Sequence, residues 1–263
     1  MGSLEDRKLG AILGCLVADA AAQPLHWIYN VPRMNEIIEQ CGHQPEFHNP
    51  SHNPFYCIET GKNSCYGDQC FALLESLAKC KGLNIEDLKE RTYKTFGPGS
   101  AYDSEAVDAY KWKGGVAKSY PVPNAWKHFS IKHFLKNLEA GKTETGSEKD
   151  QQIDGITKIA PVVAMYAGKP ELLEMVEDAA RITQENDIAV VFVLTAARIL
   201  EQFILNANAV PLDVVNGVIA EMCSPKRDNP QDLDRAVANQ LKEVVKVADQ
   251  PHKQVVTEVF VNN

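Results

Sequence analysis

The stretch DIAVVFVLTAARILEQFILN, residues 187–206, decides the fold class. It is long, strongly apolar and has no alternation, so it reads as a core helix rather than a strand. Its neighbours are helical as well. GITKIAPVVAMYAG (155–168) reads as one helix, with Pro161 as a kink or a break. PELLEMVEDAARITQ (170–184) places proline in its favoured first turn. PLDVVNGVIAEMC (211–223) and PQDLDRAVANQLKEVVKVA (230–248) close the series. Alternating strand patterns joined by hairpin turns are absent. The expected architecture is all-α, a single compact domain over residues 1–263 with about ten helices.

Upstream of that series, a first helix is expected after Ser3, where Ser3 and Asp6 make a capping-box pattern. The segment LGAILGCLVADAAAQPLHWIY (9–29) is apolar nearly all round, which places it in the middle of a core. Gly10, Gly14, Ala18 and Ala22 recur every four residues and suit close helix packing. Pro24 ends or kinks that helix. Residues 41–66 are rich in proline, asparagine, glycine and histidine and read as a long loop, pinned by Phe47, Phe55 and Tyr56. A helix is expected over 68–81, then one capped by Asn84 and stopped by GPGS (97–100). Residues 100–125 read as irregular again. Ser130 is expected to cap IKHFLKNLEA, with Gly141 as its stop.

Net charge is −8 over 263 residues, with a pI near 5.4. That balance argues against nucleic acid as a partner. Seven cysteines, an odd number with no CxxC, read as reduced thiols. The N-terminus lacks the basic start of a signal peptide, and the apolar run Leu9–Leu25 is interrupted by Asp19. A cytoplasmic protein with no membrane partner is expected, and oligomeric state stays open.

Asp68, at a helix start, has two readings. It can accept hydrogen bonds from free backbone N–H groups, or it can ligate a hard cation such as Mg²⁺. Asp19, an acid inside an apolar helix, needs a partner or a shifted pKa; a hydrogen bond to a neighbouring helix end would serve. The loop residues Cys41, His43, His48, His52 and Cys57 match no standard zinc spacing. Lys127, His128, Lys132, His133 and Lys136 read as a solvated helix face. Asp232 and Asp234 sit in a first turn, where acids complement the helix dipole. GxSxG, Walker and GxGxxG signatures are absent.

Four segments in order resemble the ADP-ribosylglycohydrolase family. GAILGCLVADAAAQP (10–24) is similar to its opening helix, and YGDQCFALLESLA (66–78) to its T-D-D-T helix start. ITKIAPVVAMYAG (156–168) stands in the place of its N-G-x-x-M-R-x-A-P segment, and ITQENDIAVVFVLTAARIL (182–200) resembles its T-H helix. The resemblance is clearest over residues 7–205 and, within the family, is strongest to the selenoprotein J and jellyfish J-crystallin branch, whose role is structural in the lens. It implies an all-α fold with a cleft for ADP-ribose or an ADP-ribosylated protein, and two Mg²⁺ ions held by T-D-D-T and a late D-x-D-[TS] segment.

The departures fall on those ligands. Gly67, Asp68, Gln69 and Cys70 occupy the T-D-D-T positions, so Asp68 and Gln69 are the expected metal ligands, with one carboxylate instead of two. Gln184 replaces the histidine, and Asp154, Gly155 and Lys158 fall in the N-G-x-x-M-R segment. With Asp19, these residues are the expected ligand-binding set, and Asp68 is the best catalytic candidate. No match to D-x-D-[TS] is found, and the chain is expected to lack the C-terminal helices of a full member. The resemblance therefore implies a protein with a degraded dinuclear site, structural and crystallin-like or ADP-ribose-binding. The alternative is an Mg²⁺-dependent hydrolase releasing ADP-ribose.

Overall fold

The structure, a computed structural model, describes residues 2–103 and 120–255. The sequence expectations for 104–119, including Gly114 and Gly115, and for most of VVTEVFV (255–261) lie outside the described residues. Ten helices of more than one turn follow one another: α1 (Leu4–Ala22), α2 (Val31–Gln40), α3 (Cys65–Cys80), α4 (Ile85–Phe96), α5 (Phe129–Glu139), α6 (Ala160–Tyr166), α7 (Leu172–Arg181), α8 (Asp187–Leu205), α9 (Pro211–Cys223) and α10 (Asp234–Lys246). Among the described residues there is no strand, only an isolated parallel bridge between Tyr56 and Val122. The all-α expectation holds.

Helix α8 is apolar on all sides because it has a core on two of them. Val190, Val193, Leu194 and Ala197 pack with residues of α3, α6 and α7. Val191 faces the other way, into a cluster with Val218, Ile219 and Met222 of α9 and Val237 of α10. A helix between two apolar clusters needs no polar stripe.

Helix α1 has the same composition and a different fate. Its capping box forms as expected, Ser3 with Asp6, and a 3₁₀ turn, Gln23–Leu25, follows it with Pro24 in its first turn. It packs on α3, α6 and α8, yet Leu9, Leu13 and Val17 are about half exposed (55%, 50% and 53%). The small residues Gly10, Gly14, Ala18 and Ala22 are all exposed, and nothing described stands within 4 Å of where a Cβ would be at Gly10 or Gly14. The expectation of a fully buried helix tightly packed along that row is therefore corrected. The packed face carries Ala11 and Ile12 instead. By length and apolarity alone, Leu4–Leu25 and α8 each match a membrane-spanning helix. Half of the α8 window is buried inside the fold.

Several helix ends also differ. Asn84 caps α4 through Asp87 N–H as expected. Ser130 does not cap α5; the cap position is His128, and the Ser130 hydroxyl lies 3.1 Å from His128 Nδ1. The segment 155–168 is broken rather than kinked: a 3₁₀ turn, Ile153–Thr157, precedes α6, and Pro161 falls in the first turn of α6. In the long loop, Phe55 and Tyr56 pack edge-on against Trp27. Phe47 is exposed, and that point is tied instead by its backbone N–H to Ala21 O. All seven cysteines are unpaired.

Candidate functional site

Helix α3 starts three residues earlier than the sequence suggested. Ser64 is its N-cap and accepts from Tyr66 N–H. Asp68 is therefore not the cap. It lies in the first turn, where an acid is favoured by the helix dipole, and it faces a cavity of about 950 Å³ also lined by Glu59, Lys62, Asn63, Tyr102 and Asn124. The volume suits a drug-sized or nucleotide-sized ligand. The hydroxyl of the buried Tyr102 donates to Asp68 Oδ2 at 2.6 Å. Burial pushes the Asp68 carboxyl up to about 6, with the nearby charge of Asp19 adding to the rise and Tyr102 and Lys62 opposing it.

Gln69 points elsewhere. It is 6% exposed, and its amide donates to the Cys65 carbonyl of the same helix at 3.2 Å. It does not line the Asp68 cavity. Neighbouring residues on a helix diverge by about 100°, so only one of them reaches a given face unless a long side chain bends back. A two-ion Mg²⁺ site needs several oxygens around each ion. The described lining here offers two carboxylates, Asp68, already bonded to Tyr102, and Glu59 from the preceding loop, while Gln69 is turned away, so the paired ligands of the family's helix start are not reproduced.

Asp19 is the organiser of this turn. Its Oδ2 accepts from Ser64 N–H (2.7 Å) and Asn63 Nδ2 (3.1 Å), and its Oδ1 accepts from the Ser64 hydroxyl (2.6 Å). The acid in the apolar helix thus holds the cap of a neighbouring helix. Gly67 fits beneath it: a Cβ there would stand 2.4 Å from both Asp19 Oδ2 and Asn63 Nδ2. The threonine of the family pattern would have to displace both side chains.

Asp154, Gly155, Lys158 and Gln184 form a second group that does not line the Asp68 cavity. Gln184 Nε2 donates to Asp154 Oδ1 (3.0 Å) and to Gln152 O (2.8 Å). A Cβ on Gly155 would stand 2.4 Å from Gln184 Oε1 and 2.8 Å from Val193 Cγ2, which explains the glycine. Lys158 is buried and donates to the Thr183 hydroxyl and Ala180 O. Burial pulls its ammonium down to about 8, against the pull of Asp154. The two groups meet electrostatically at the buried Cys65 thiol. Burial first, and then the charges of Asp154, Asp19 and Asp68, push that thiol well above its ordinary range.

Two members of the second group were missed by the sequence. His128 and Asp150 lie beside Asp154, and the three form a buried group able to hold a metal ion, the one such group among the described residues. Burial lifts the Asp154 carboxyl above the ordinary range; His128 opposes that and Asp150 adds to it. The reading of residues 127–136 as a solvated face is corrected: Lys127, His128 and Lys132 are 9%, 5% and 5% exposed. Lys132 stacks its ammonium over Trp126, 5.0 Å from the ring centre. The available signal was the Asp150–Asp154 spacing in a polar stretch. Asp234 is also fully buried and ion-paired with Arg227, beyond any surface dipole role. The loop histidines His48 and His52 stack on each other, 4.8 Å between ring centres.

If Asp68 is charged against a burial cost, the cost is measurable. Its native pKa lies above the value near 3.9 of an unfolded chain, so the native state binds more protons between about pH 4 and 6. Stability from this group falls as pH rises through that window, and the penalty is complete above it. Asp68→Asn keeps an acceptor for Tyr102 and removes the charge. It is expected to stabilise the protein by about 2 kcal/mol at pH 8 and by nothing near pH 4. Urea unfolding at the two pH values, in chelator, checks this; an equal effect at both would refute it.

Comparison with known proteins agrees with this architecture. The ADP-ribosylglycohydrolase family profile matches residues 1–262. Crystallin J1A of Tripedalia cystophora is 35% identical over 204 residues, covering 78% of this chain and 60% of that protein. Crystallin J1B of the same animal is 34% identical over 205 residues, with the same coverage. The chain thus spans 60% of the length of these relatives. A solved ADP-ribosylglycohydrolase-related protein complex superposes with a TM-score of 0.54 over 82% of this chain and 60% of that one. At 20% identity it speaks to the fold alone. With the ordered helices, the α3 turn and the profile in agreement, the chain belongs to the ADP-ribosylglycohydrolase family.

Proposed function

We propose that this chain is a non-hydrolytic, crystallin-like structural member of its family, whose Asp68 cavity still has room for an ADP-ribose-like ligand. The observation that carries this is the divergence of Asp68 and Gln69: one carboxylate faces the cavity with Tyr102 on it, and its neighbour is tied to Cys65 O. Metal-assisted hydrolysis needs ions that polarise the bond and activate water. With Gln69 turned away and bringing no charge, the start of α3 offers a single carboxylate, a weak holder for a dication. The likeness to two crystallins supports a structural role.

The test is incubation of the chain with an ADP-ribosylated protein and Mg²⁺, beside calorimetric titration with ADP-ribose. No release over many turnovers is expected, and any ADP-ribose binding should be unchanged by Mg²⁺. Multi-turnover, Mg²⁺-dependent release that Asp68→Ala abolishes without unfolding the chain would overturn the reading. It would establish the alternative, a hydrolase that removes ADP-ribose.

A further inference from the structure

We propose that His128, Asp150 and Asp154 bind one divalent first-row transition-metal ion, zinc being the best fit, at a site separate from Asp68. Three observations converge. The ligand atoms lie within 4.8 Å of one another: His128 Nδ1 is 3.1 Å from Asp154 Oδ2 and 3.8 Å from Asp150 Oδ2. Two ligands each about 2.1 Å from a tetrahedral ion are about 3.4 Å apart, so small shifts admit an ion between these atoms.

The second observation is how each ligand is aimed. Both carboxylates are held by one oxygen and free at the other. Asp150 Oδ1 accepts from Gln152 N–H (3.0 Å), and Asp154 Oδ1 accepts from Gln184 Nε2 (3.0 Å). Both Oδ2 atoms turn to His128. The imidazole is fixed from behind, with Nε2 3.2 Å from Gln152 Oε1. That oxygen is an acceptor, so Nε2 carries the proton, and Nδ1 faces the two carboxylates with the Ser130 hydroxyl beside it at 3.1 Å. Such supporting hydrogen bonds are what orients metal ligands.

The third observation separates an ion from a mere extra proton. Protonating Nδ1 satisfies the 3.1 Å contact with Asp154. It leaves Asp150 Oδ2, on a residue 1% exposed, without a hydrogen bond among the described residues. A buried carboxylate oxygen without a partner is costly. A dication takes both Oδ2 atoms and Nδ1 together, and it offsets the two negative charges. One imidazole nitrogen with two carboxylates is a borderline donor set, suited to zinc, manganese or cobalt more than to Mg²⁺ with its preference for oxygen alone. Access is short. The Tyr66 ring, 5.5 Å from that of His128, also lines a cavity of about 370 Å³ with Asp19, His26 and Trp27.

The experiment strips the full chain with chelator and titrates it with Co²⁺ and then Zn²⁺ alone, reading visible absorption and bound metal per chain. One equivalent of Co²⁺ is expected, with ligand-field bands that Zn²⁺ abolishes. Asp150→Asn and His128→Gln, each shown folded by circular dichroism, should each weaken binding at least 10-fold. A folded wild type that takes up neither ion overturns the proposal whatever the variants do. So does stoichiometric binding that survives both substitutions, since the metal would then lie elsewhere. Neither result bears on ADP-ribose release, which is read separately.

Discussion

Gly146→Ala is expected to destabilise the protein by about 3 kcal/mol, at or beyond the upper end for overpacking. A Cβ at this position would stand 2.2 Å from Arg181 O and 2.6 Å from Glu185 N. Both are backbone atoms, where the last turn of α7 passes toward α8, so no rotamer change relieves the clash. Nor can the loop step back. Thr145 donates its hydroxyl to Ile182 O (2.8 Å), Ser147 N–H donates to Thr183 O (2.9 Å), and Asn137 Nδ2 holds the carbonyls of Thr145 and Gly146. Separating the two segments means breaking several of these buried bonds at once. For a chain of this size the melting temperature should fall by about 6–12 °C. Because Asp150 follows four residues later on the same stitched loop, metal affinity should fall with it. Thermal unfolding followed by circular dichroism checks the first effect; a change under about 0.5 kcal/mol would show that the loop is looser than its contacts imply.

What was legible in the sequence was chemistry confined to a few consecutive residues. The Asn84 cap and the Ser3–Asp6 box involve partners three residues apart, so their signals survive without knowledge of the fold. The helical class was legible for a related reason: the length and apolarity of 187–206 allow little else. What failed was assignment of faces. Composition made α1 and α8 look alike, yet α8 finds apolar partners on two sides and α1 leaves Leu9, Leu13 and Val17 half exposed. Periodicity records which residues could be buried, and only tertiary packing decides which are.

The candidate site was half legible for the same reason. Motif resemblance placed Asp68, Asp154, Gly155 and Gln184, but it could not say that Gln69 turns inward or that Asp154 and Asp68 belong to different groups. His128 was hidden in a run of cations that looked solvated. Its partners are 22 and 26 residues away, on the loop and 3₁₀ turn that follow α5, a separation no local pattern encodes.

Asp19→Ala is expected to cost about 3 kcal/mol and to loosen the start of α3, the opposite sign to Asp68→Asn on the same helical turn. The contrast follows from how many donors each carboxylate serves. Asp68 receives one hydrogen bond, from Tyr102, against its burial. Asp19 receives three, and two come from Ser64, a residue 2% exposed whose own hydroxyl then accepts from Tyr66 N–H. Truncation leaves the Ser64 N–H unpaired in a dry place and frees the hydroxyl that caps α3, so the loss passes from α1 to the cap and on to the first turn. Asp19→Asn, which keeps one acceptor oxygen, should cost less than half as much. Urea midpoints at unchanged m-value measure both substitutions. Amide exchange at Tyr66 and Asp68 should quicken in Asp19→Ala while the centre of α8 is slowed or quickened only in step with global stability. If the exchange of α3 and α8 moves together, Asp19 stabilises the whole fold and does not govern the turn that carries Asp68.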